Sequence, residues 1–273
     1  MPTSATDGPT QRLFEVASRT HPGCVRELNE DCCVTFCLDE SAGLLVADGV
    51  SGENGGDTAS RTAVEVAFNT LRTEEDALRP ERRVREAVQR ANLAVYEQAL
   101  ARAELRGMST TLTAVLLERN ELYAAHVGDC RLYLLRGGRL LQLSRDHTVS
   151  GARVRLGLLS KARARNHPGR AKLTRGLGRD LIANIDQIRL RLLEHDLLMV
   201  CSDGIHGMLE DDEIRALCLD ASAEGACRGL VESANRRGAP DNVSAAVARV
   251  VGAVPANQEE RSRFDLLNWA RGR

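Results

Sequence analysis

The 273-residue chain carries almost no net charge, with 37 Lys and Arg against 38 Asp and Glu, a formal −1. It therefore offers no field to attract nucleic acid, and no block of like charge forms a tail for it. Long apolar runs are also missing; none approaches the roughly 20 residues a membrane helix needs. The opening MPTSATDGPTQR lacks the charged-then-apolar order of a secretory leader, so a cytoplasmic protein is expected. The eight cysteines include no C-x₂-C spacing, which argues against a zinc ribbon. Cys37, Cys201 and Cys218 lie inside apolar runs, and with adjacent Cys32-Cys33 they read as reduced, packed thiols rather than disulfides. Lysine is nearly absent, at Lys161 and Lys172 alone, and the arginine that replaces it is read as genomic base composition rather than function. No internal repeat and no low-complexity linker divides the chain, so a single domain with a sizeable core is the simplest partition.

What the chain does have is a recurring junction. Leu44-Leu45-Val46-Ala47 is long enough for one buried strand and stops at Asp48-Gly49. The glycine lets the backbone turn and leaves its carbonyl open. A carboxylate and a bare carbonyl at one turn are hard oxygen ligands for Mg²⁺ or Mn²⁺, although Asp-Gly alone can merely close a hairpin. The junction recurs. Leu197–Ser202 runs into Asp203-Gly204, Asp241-Asn242 precedes the apolar run Val243–Val251, and Asn29-Glu30-Asp31 precedes Cys32–Phe36. If these runs are neighbouring strands, their acids converge at one end of a sheet. They would repel one another unless divalent cations bind between them.

In chain order, residues 1–10 read as a polar, disordered N-terminus. Strands are expected at 14–18, 32–38 and 44–47. A helix starts near Asp57, with Ala59, Ala63, Val66, Ala67 and Leu71 on one face, and a second starts at Pro80 and ends by Gly107. Residues 109–117, 121–127, 131–135 and 140–143 are apolar runs separated by turn residues, which predicts an antiparallel meander. The basic stretch 147–180 has little core material and reads as a flap with one short helical piece. Strands at 186–193 and 197–202, helices at about 210–219 and 222–236, and a last strand at 242–251 complete the domain. The tail 253–273 carries a short amphipathic piece, Phe264–Trp269.

Order and spacing together resemble the metal-dependent protein serine/threonine phosphatases, the PPM or type 2C family, in their bacterial form. The matching segments are GCVRELNED, LLVADGVSGENGGDTAS, GMSTTLTAVLL, AAHVGDCRLYLLRGGRLLQLSRDHT, NHPGRAKLTRGLG, LMVCSDGIHGML and APDNVSAAVARV, spread over residues 12–252. The resemblance implies an α+β fold: a four-layer α-β-β-α sandwich of two antiparallel sheets flanked by helix pairs, occupying 11–252. It implies that Asp48 bridges two Mn²⁺ or Mg²⁺ ions, that Asp203 and Asp241 bind the first, and that the Gly49 carbonyl binds the second, with Glu30 and Asp31 holding that ion's waters. Asp129 matches a residue that helps hold a third, weaker ion, though Gly-Asp is also good turn chemistry. Arg26 matches the arginine that grips phosphate; the alternative is that it pairs with Glu27 or Glu30 and steadies its loop. Asn242 and Ser202 are expected to support the ligands beside them.

The implied reaction is hydrolysis of phosphoserine or phosphothreonine in proteins by a hydroxide bridging the two ions, in opposition to a Ser/Thr kinase. No phosphoenzyme is implied, so Cys130 and Cys201 are expected to be packing residues. Some relatives read DGMGGH where this chain has Asp48-Gly49-Val50-Ser51-Gly52-Glu53, and VGDSR reads VGDCR. Val50 stands where some members carry a histidine proposed as general acid. The proton donor is thus unassigned, and His126, His147, His167 and His206 read as structural. Two alternatives stay open: a non-catalytic binding module of the same fold, and a phosphatase for a small regulator domain in a partner switch.

Overall fold

Strand alternation sorts the apolar side chains into three cores, and those cores set the layering. The computed structural model describes residues 13–50, 55–73 and 78–252; the expectations for the N-terminus and the tail lie outside them. In chain order the elements are β1 (Phe14–His21), β2 (Asp31–Cys37), β3 (Ser41–Asp48), α1 (Gly56–Arg72), α2 (Pro80–Ala101), β4 (Leu112–Glu118), β5 (Glu121–Val127), β6 (Arg131–Arg136) and β7 (Arg139–Gln142). They continue with α3 (Val149–Arg155), α4 (Lys161–Ala164), β8 (Asp186–Arg191), β9 (Leu197–Cys201), α5 (Asp203–His206), α6 (Asp211–Cys218), α7 (Ala223–Arg236) and β10 (Val243–Val250). Two five-stranded sheets result, ordered β1-β10-β9-β6-β7 and β2-β3-β4-β5-β8. All pairings between neighbours are antiparallel.

Side chains one residue apart on a strand point to opposite faces. On β3, Leu44 and Val46 enter the core between the sheets, while Leu45 and Ala47 enter the core under α1 and α2. On β9, Leu198 and Val200 face the inter-sheet core, while Leu197 and Met199 face α6 and α7. The order of layers is therefore helix pair, sheet, sheet, helix pair, as the resemblance implied. Small residues line the helix faces. Ala59, Ala63 and Ala67 of α1, and Ala87 and Ala91 of α2, are fully buried, which lets helix and sheet backbones approach closely.

The expected meander is corrected. The runs after Gly107 do not form one sheet. β4 and β5 belong to the second sheet, whereas β6 and β7 belong to the first. The chain changes sheet at Gly128-Asp129. β4, β5 and β6 are buried on both faces along most of their length, so the sequence shows no alternation that would reveal which sheet each joins. The segment 109–111 is held by isolated bridges, Thr110 pairing with Gly49 and with Leu177, rather than as part of β4. The basic stretch also differs from a free flap. It forms two short helices, α3 and α4, and its exit is fixed by fully buried Leu177 and by the Thr148–Leu173 bridge. Among the described residues no helix is long and apolar enough to cross a membrane.

Candidate active site

Strand register brings the acids together. In the β2–β3 ladder Asp31 stands opposite Asp48, placing both at the same end of the second sheet. In the first sheet β9 ends at Cys201 opposite Ala245 of β10, so Asp203 just after β9 and Asp241 just before β10 share that end. The Ser202 hydroxyl donates to Asp31 Oδ2 at 2.7 Å and accepts from Ser244 N–H at 3.0 Å, tying one sheet to the other. Asp129 arrives on the crossing between sheets.

The backbone around Asp48 is fixed on every side. Its carbonyl accepts from Thr111 N–H at 2.9 Å and from the Thr110 hydroxyl at 2.8 Å. Its N–H donates to Thr111 Oγ1 at 2.9 Å. Gly49 N–H donates to the Glu30 carbonyl at 3.1 Å. Position 49 must be glycine, since a Cβ there would lie 2.3 Å from the Gly56 carbonyl oxygen and 2.8 Å from that of Glu30. Asn242 organises the opposite wall. Its amide donates to the Pro22 and Leu28 carbonyls at 3.0 and 2.9 Å and accepts from Glu30 N–H at 2.8 Å, so it shapes the loop that carries Arg26.

Electrostatically the acids are crowded. Asp48 is pushed well above the ordinary carboxylate range, first by burial and then by Asp31, Asp203, Asp129 and Asp241. Burial is also the main cause at Asp31, raised to about 7 against the hydrogen bond from Ser202. Asp203 is raised to about 6 by burial and by Asp241, opposed by Arg170, Arg131 and Arg26. Asp129 is raised well above its usual value by burial, then by Asp203 and Asp146. Such an array is costly unless something positive enters it. Arg26 partly does so: its guanidinium lies 3.1 Å from Asp241 Oδ2. Neither Glu27 nor Glu30 takes that place among the described residues.

The donor set fits hard divalent cations. All its members are oxygens, and the buried Asp31 Oδ1 has no hydrogen-bond partner among the described residues. Among the described residues no group of three or more His, Cys, Asp or Glu side chains is drawn together tightly enough to hold an ion. The thiols are not candidates for nucleophile, because burial pushes Cys130 and Cys201 far above the range where thiolate forms. Burial likewise lowers His126 to about 4 and His206 to about 3, so both are neutral imidazoles at neutral pH rather than charged acids.

Two residues escaped sequence reasoning. Arg131 and Asp146 form a two-point pair beside Asp129, with Nε–Oδ1 at 3.0 Å and Nη2–Oδ2 at 2.7 Å. They are fifteen positions apart, and only the fold shows that they meet.

Comparison with known proteins bears on the family and the fold. The sequence profile of the family Protein phosphatase 2C matches residues 25–247. The serine/threonine protein phosphatase PstP of Mycobacterium tuberculosis is 36% identical over 242 residues, covering 88% of this chain and 45% of that protein, so the chain spans less than half of that relative. The serine/threonine phosphatase stp of Listeria welshimeri is 32% identical over 231 residues, covering 83% of this chain and 92% of that one. The crystal structure of the catalytic domain of PstP in complex with two manganese ions is 31% identical. It superposes with a TM-score of 0.78 over 88% of this chain and 99% of that one.

Proposed function

The chain belongs to the protein phosphatase 2C family, and from that premise we propose that it is a cytoplasmic, Mn²⁺- or Mg²⁺-dependent hydrolase of phosphoserine and phosphothreonine in proteins, opposing a Ser/Thr kinase. The observation that carries the reading is the convergence of Asp31, Asp48, Asp129, Asp203 and Asp241 at one end of the sandwich, with Asp241 alone among them in an arginine ion pair among the described residues. Asp48 would be shared between two ions, Asp203 and Asp241 would complete one and the Gly49 carbonyl the other, with Glu30 and Asp31 orienting waters. Bound there, the ions supply Lewis acidity, sharpening a water into a nucleophile at neutral pH and drawing charge from the phosphoryl oxygens.

The protein's own part is positioning. Thr110 and Thr111 fix the Asp48 backbone, and Ser202 fixes one oxygen of Asp31 so that the other stays open. Arg26, on a loop shaped by Asn242, presents a planar fork that matches two phosphoryl oxygens. The family's manganese-bound neighbour supports the cofactor. Hydrolysis of para-nitrophenyl phosphate with Mn²⁺, with and without EDTA, tests the reading; turnover unaffected by exhaustive chelation would overturn it.

Arg26→Ala separates phosphate gripping from loop support. A charge-assisted bond of this type contributes about 1.5–3 kcal/mol, so a loss of roughly 10- to 150-fold in kcat/KM is expected, mostly as a higher KM. Because Arg26 now occupies Asp241, Mn²⁺ affinity should hold or tighten. An unchanged KM with a lowered melting temperature would assign Arg26 to the loop alone.

The basic arm can be tested at residues that do not hold it together. Arg153 pairs with His167, Arg165 reaches Glu210 and the Leu209 carbonyl, and Arg170 donates to the Arg165 carbonyl. Arg155, Lys161 and Arg163 are exposed. Replacing these three by alanine is expected to slow a phosphoprotein several-fold while leaving para-nitrophenyl phosphate unchanged. Equal effects on both substrates would make the arm a solvated surface.

A further inference from the structure

Two buried histidines that no step of the reaction uses face the same turn. Gly128 has φ +112, and a Cβ there would lie 2.4 Å from Thr111, so only glycine can occupy it. Both polar groups of its backbone go to one residue. Gly128 N–H donates to His147 Nδ1 at 3.1 Å, and the Gly128 carbonyl accepts from His147 N–H at 2.8 Å. The next residue, Asp129, is held by its carbonyl, which accepts from His206 Nε2 at 3.0 Å. His147 is itself anchored: its ring lies 4.8 Å from that of His126, and its Nε2 is 3.3 Å from Asp186 Oδ2. Asp186 is in turn bound by Arg175 at 2.7 Å.

These contacts set both ring orientations. At His147 the nitrogen facing Gly128 N–H must be the bare acceptor, so Nε2 carries the hydrogen and points it at Asp186 Oδ2, while Arg175 Nη1, 3.1 Å from the same nitrogen, gives its own hydrogen to Asp186 Oδ1. At His206 the nitrogen facing a carbonyl must be the donor. From this arrangement we infer that His147 and His206 form a two-point cradle that positions Asp129, the first gripping the peptide before it and the second its own carbonyl. Neither touches a reacting atom; both are positioning residues. The inference rests on reading Asp129 as a ligand of the weakest metal site. Outer partners that orient a ligand typically contribute about 10- to 100-fold to metal affinity.

The two rings use different nitrogens, and that gives a crossed test. Asparagine carries its amide oxygen near the position of histidine Nδ1, whereas glutamine carries its amide nitrogen near that of Nε2. At position 147, His147→Asn should preserve the contact to Gly128 and His147→Gln should lose it. At position 206 the order reverses: His206→Gln should preserve the contact to Asp129, and His206→Asn should lose it. Calorimetric Mn²⁺ titration of all four variants is expected to show the weakest site about tenfold weaker or more in His147→Gln and His206→Asn. The other two variants should stay near wild type. In an Asp129→Asn background none of the four should weaken that site further.

A second readout needs no metal. Hydrogen exchange at the Gly128 amide should quicken about tenfold in His147→Gln and remain slow in His147→Asn. Loss of the crossed pattern in exchange, or equal effects of Asn and Gln at both positions, would overturn the cradle. A crossed pattern in exchange with no effect on metal binding would leave the cradle in place and remove Asp129 from the metal site.

Discussion

Asp48→Asn is expected to abolish turnover, by roughly a thousandfold or more, and at the same time to raise the melting temperature of the metal-free protein. The first effect follows from shared ligation: a carboxylate that bridges two ions contributes to both, and several kcal/mol of lost charge stabilisation is worth about three orders of magnitude. The second follows from the crowding. Burial and four neighbouring acids oppose the charge on Asp48. Its hydrogen bonds to Thr110 and Thr111 are made by the backbone, so the amide loses none of them. Calorimetry should show both tight Mn²⁺ sites lost in Asp48→Asn and one lost in Asp241→Asn. Retention of two tight sites would mean that Asp48 is not the bridge. A lower melting temperature without metal would mean that its charge supports the fold.

Removal of metal is expected to eliminate activity and to invert the pH dependence of stability. Asp31 and Asp203 have folded-state pKa values raised to about 7 and about 6, above the ordinary value of about 3.9 in an unfolded chain. A raised carboxylate favours the protonated folded state. Its contribution is therefore fully present below about pH 4 and is lost as the pH rises through 6 and 7. Chelated protein should melt lower at pH 8 than at pH 5, by roughly 5–10 °C for a domain of this size. Adding Mn²⁺ should restore activity and raise the melting temperature more at pH 8 than at pH 5, because ions bind the deprotonated acids. If the chelated protein is equally stable at both pH values, the acids are not coupled as their packing requires.

Much of the site could be read from residues near one another in sequence. Asp48, Asp203 and Asp241 each lie at the end of an apolar run, and that pattern alone suggested one shared sheet end; in the structure they share an end of the sandwich but divide between its sheets, Asp48 on the second and Asp203 and Asp241 on the first. What joins them could not be read. The Asp31–Asp48 register depends on a hairpin turn, and the Ser202–Asp31 bond spans 171 positions. Arg26 meets an acid 215 positions away, while local reasoning offered its neighbours Glu27 and Glu30. α5 is four residues long, shorter than any periodicity can reveal. The sheet change at Gly128 was hidden because strands buried on both faces have no polar side. The cradle left no local signal either, since His147 and His206 lie 19 and 77 positions from the groups they hold.

The place of β10 within its sheet has a consequence for how the protein is made. It is the last strand among the described residues, yet it lies between β1 and β9, and Asp241 enters the site directly before it. Among the described strands β1 pairs with β10 alone, so it waits for that partner until residue 250 exists. At roughly 5–20 residues per second, the N-terminal strand waits on the order of ten seconds or more for its partner. The second sheet, with Asp31 and Asp48, is complete once β8 ends at Arg191 and can form earlier. A ribosome-bound chain stopped before residue 240 would hold Asp31, Asp48, Asp129 and Asp203 but lack Asp241 and β10, so the cluster of acids is expected to close only after residue 250 has been made.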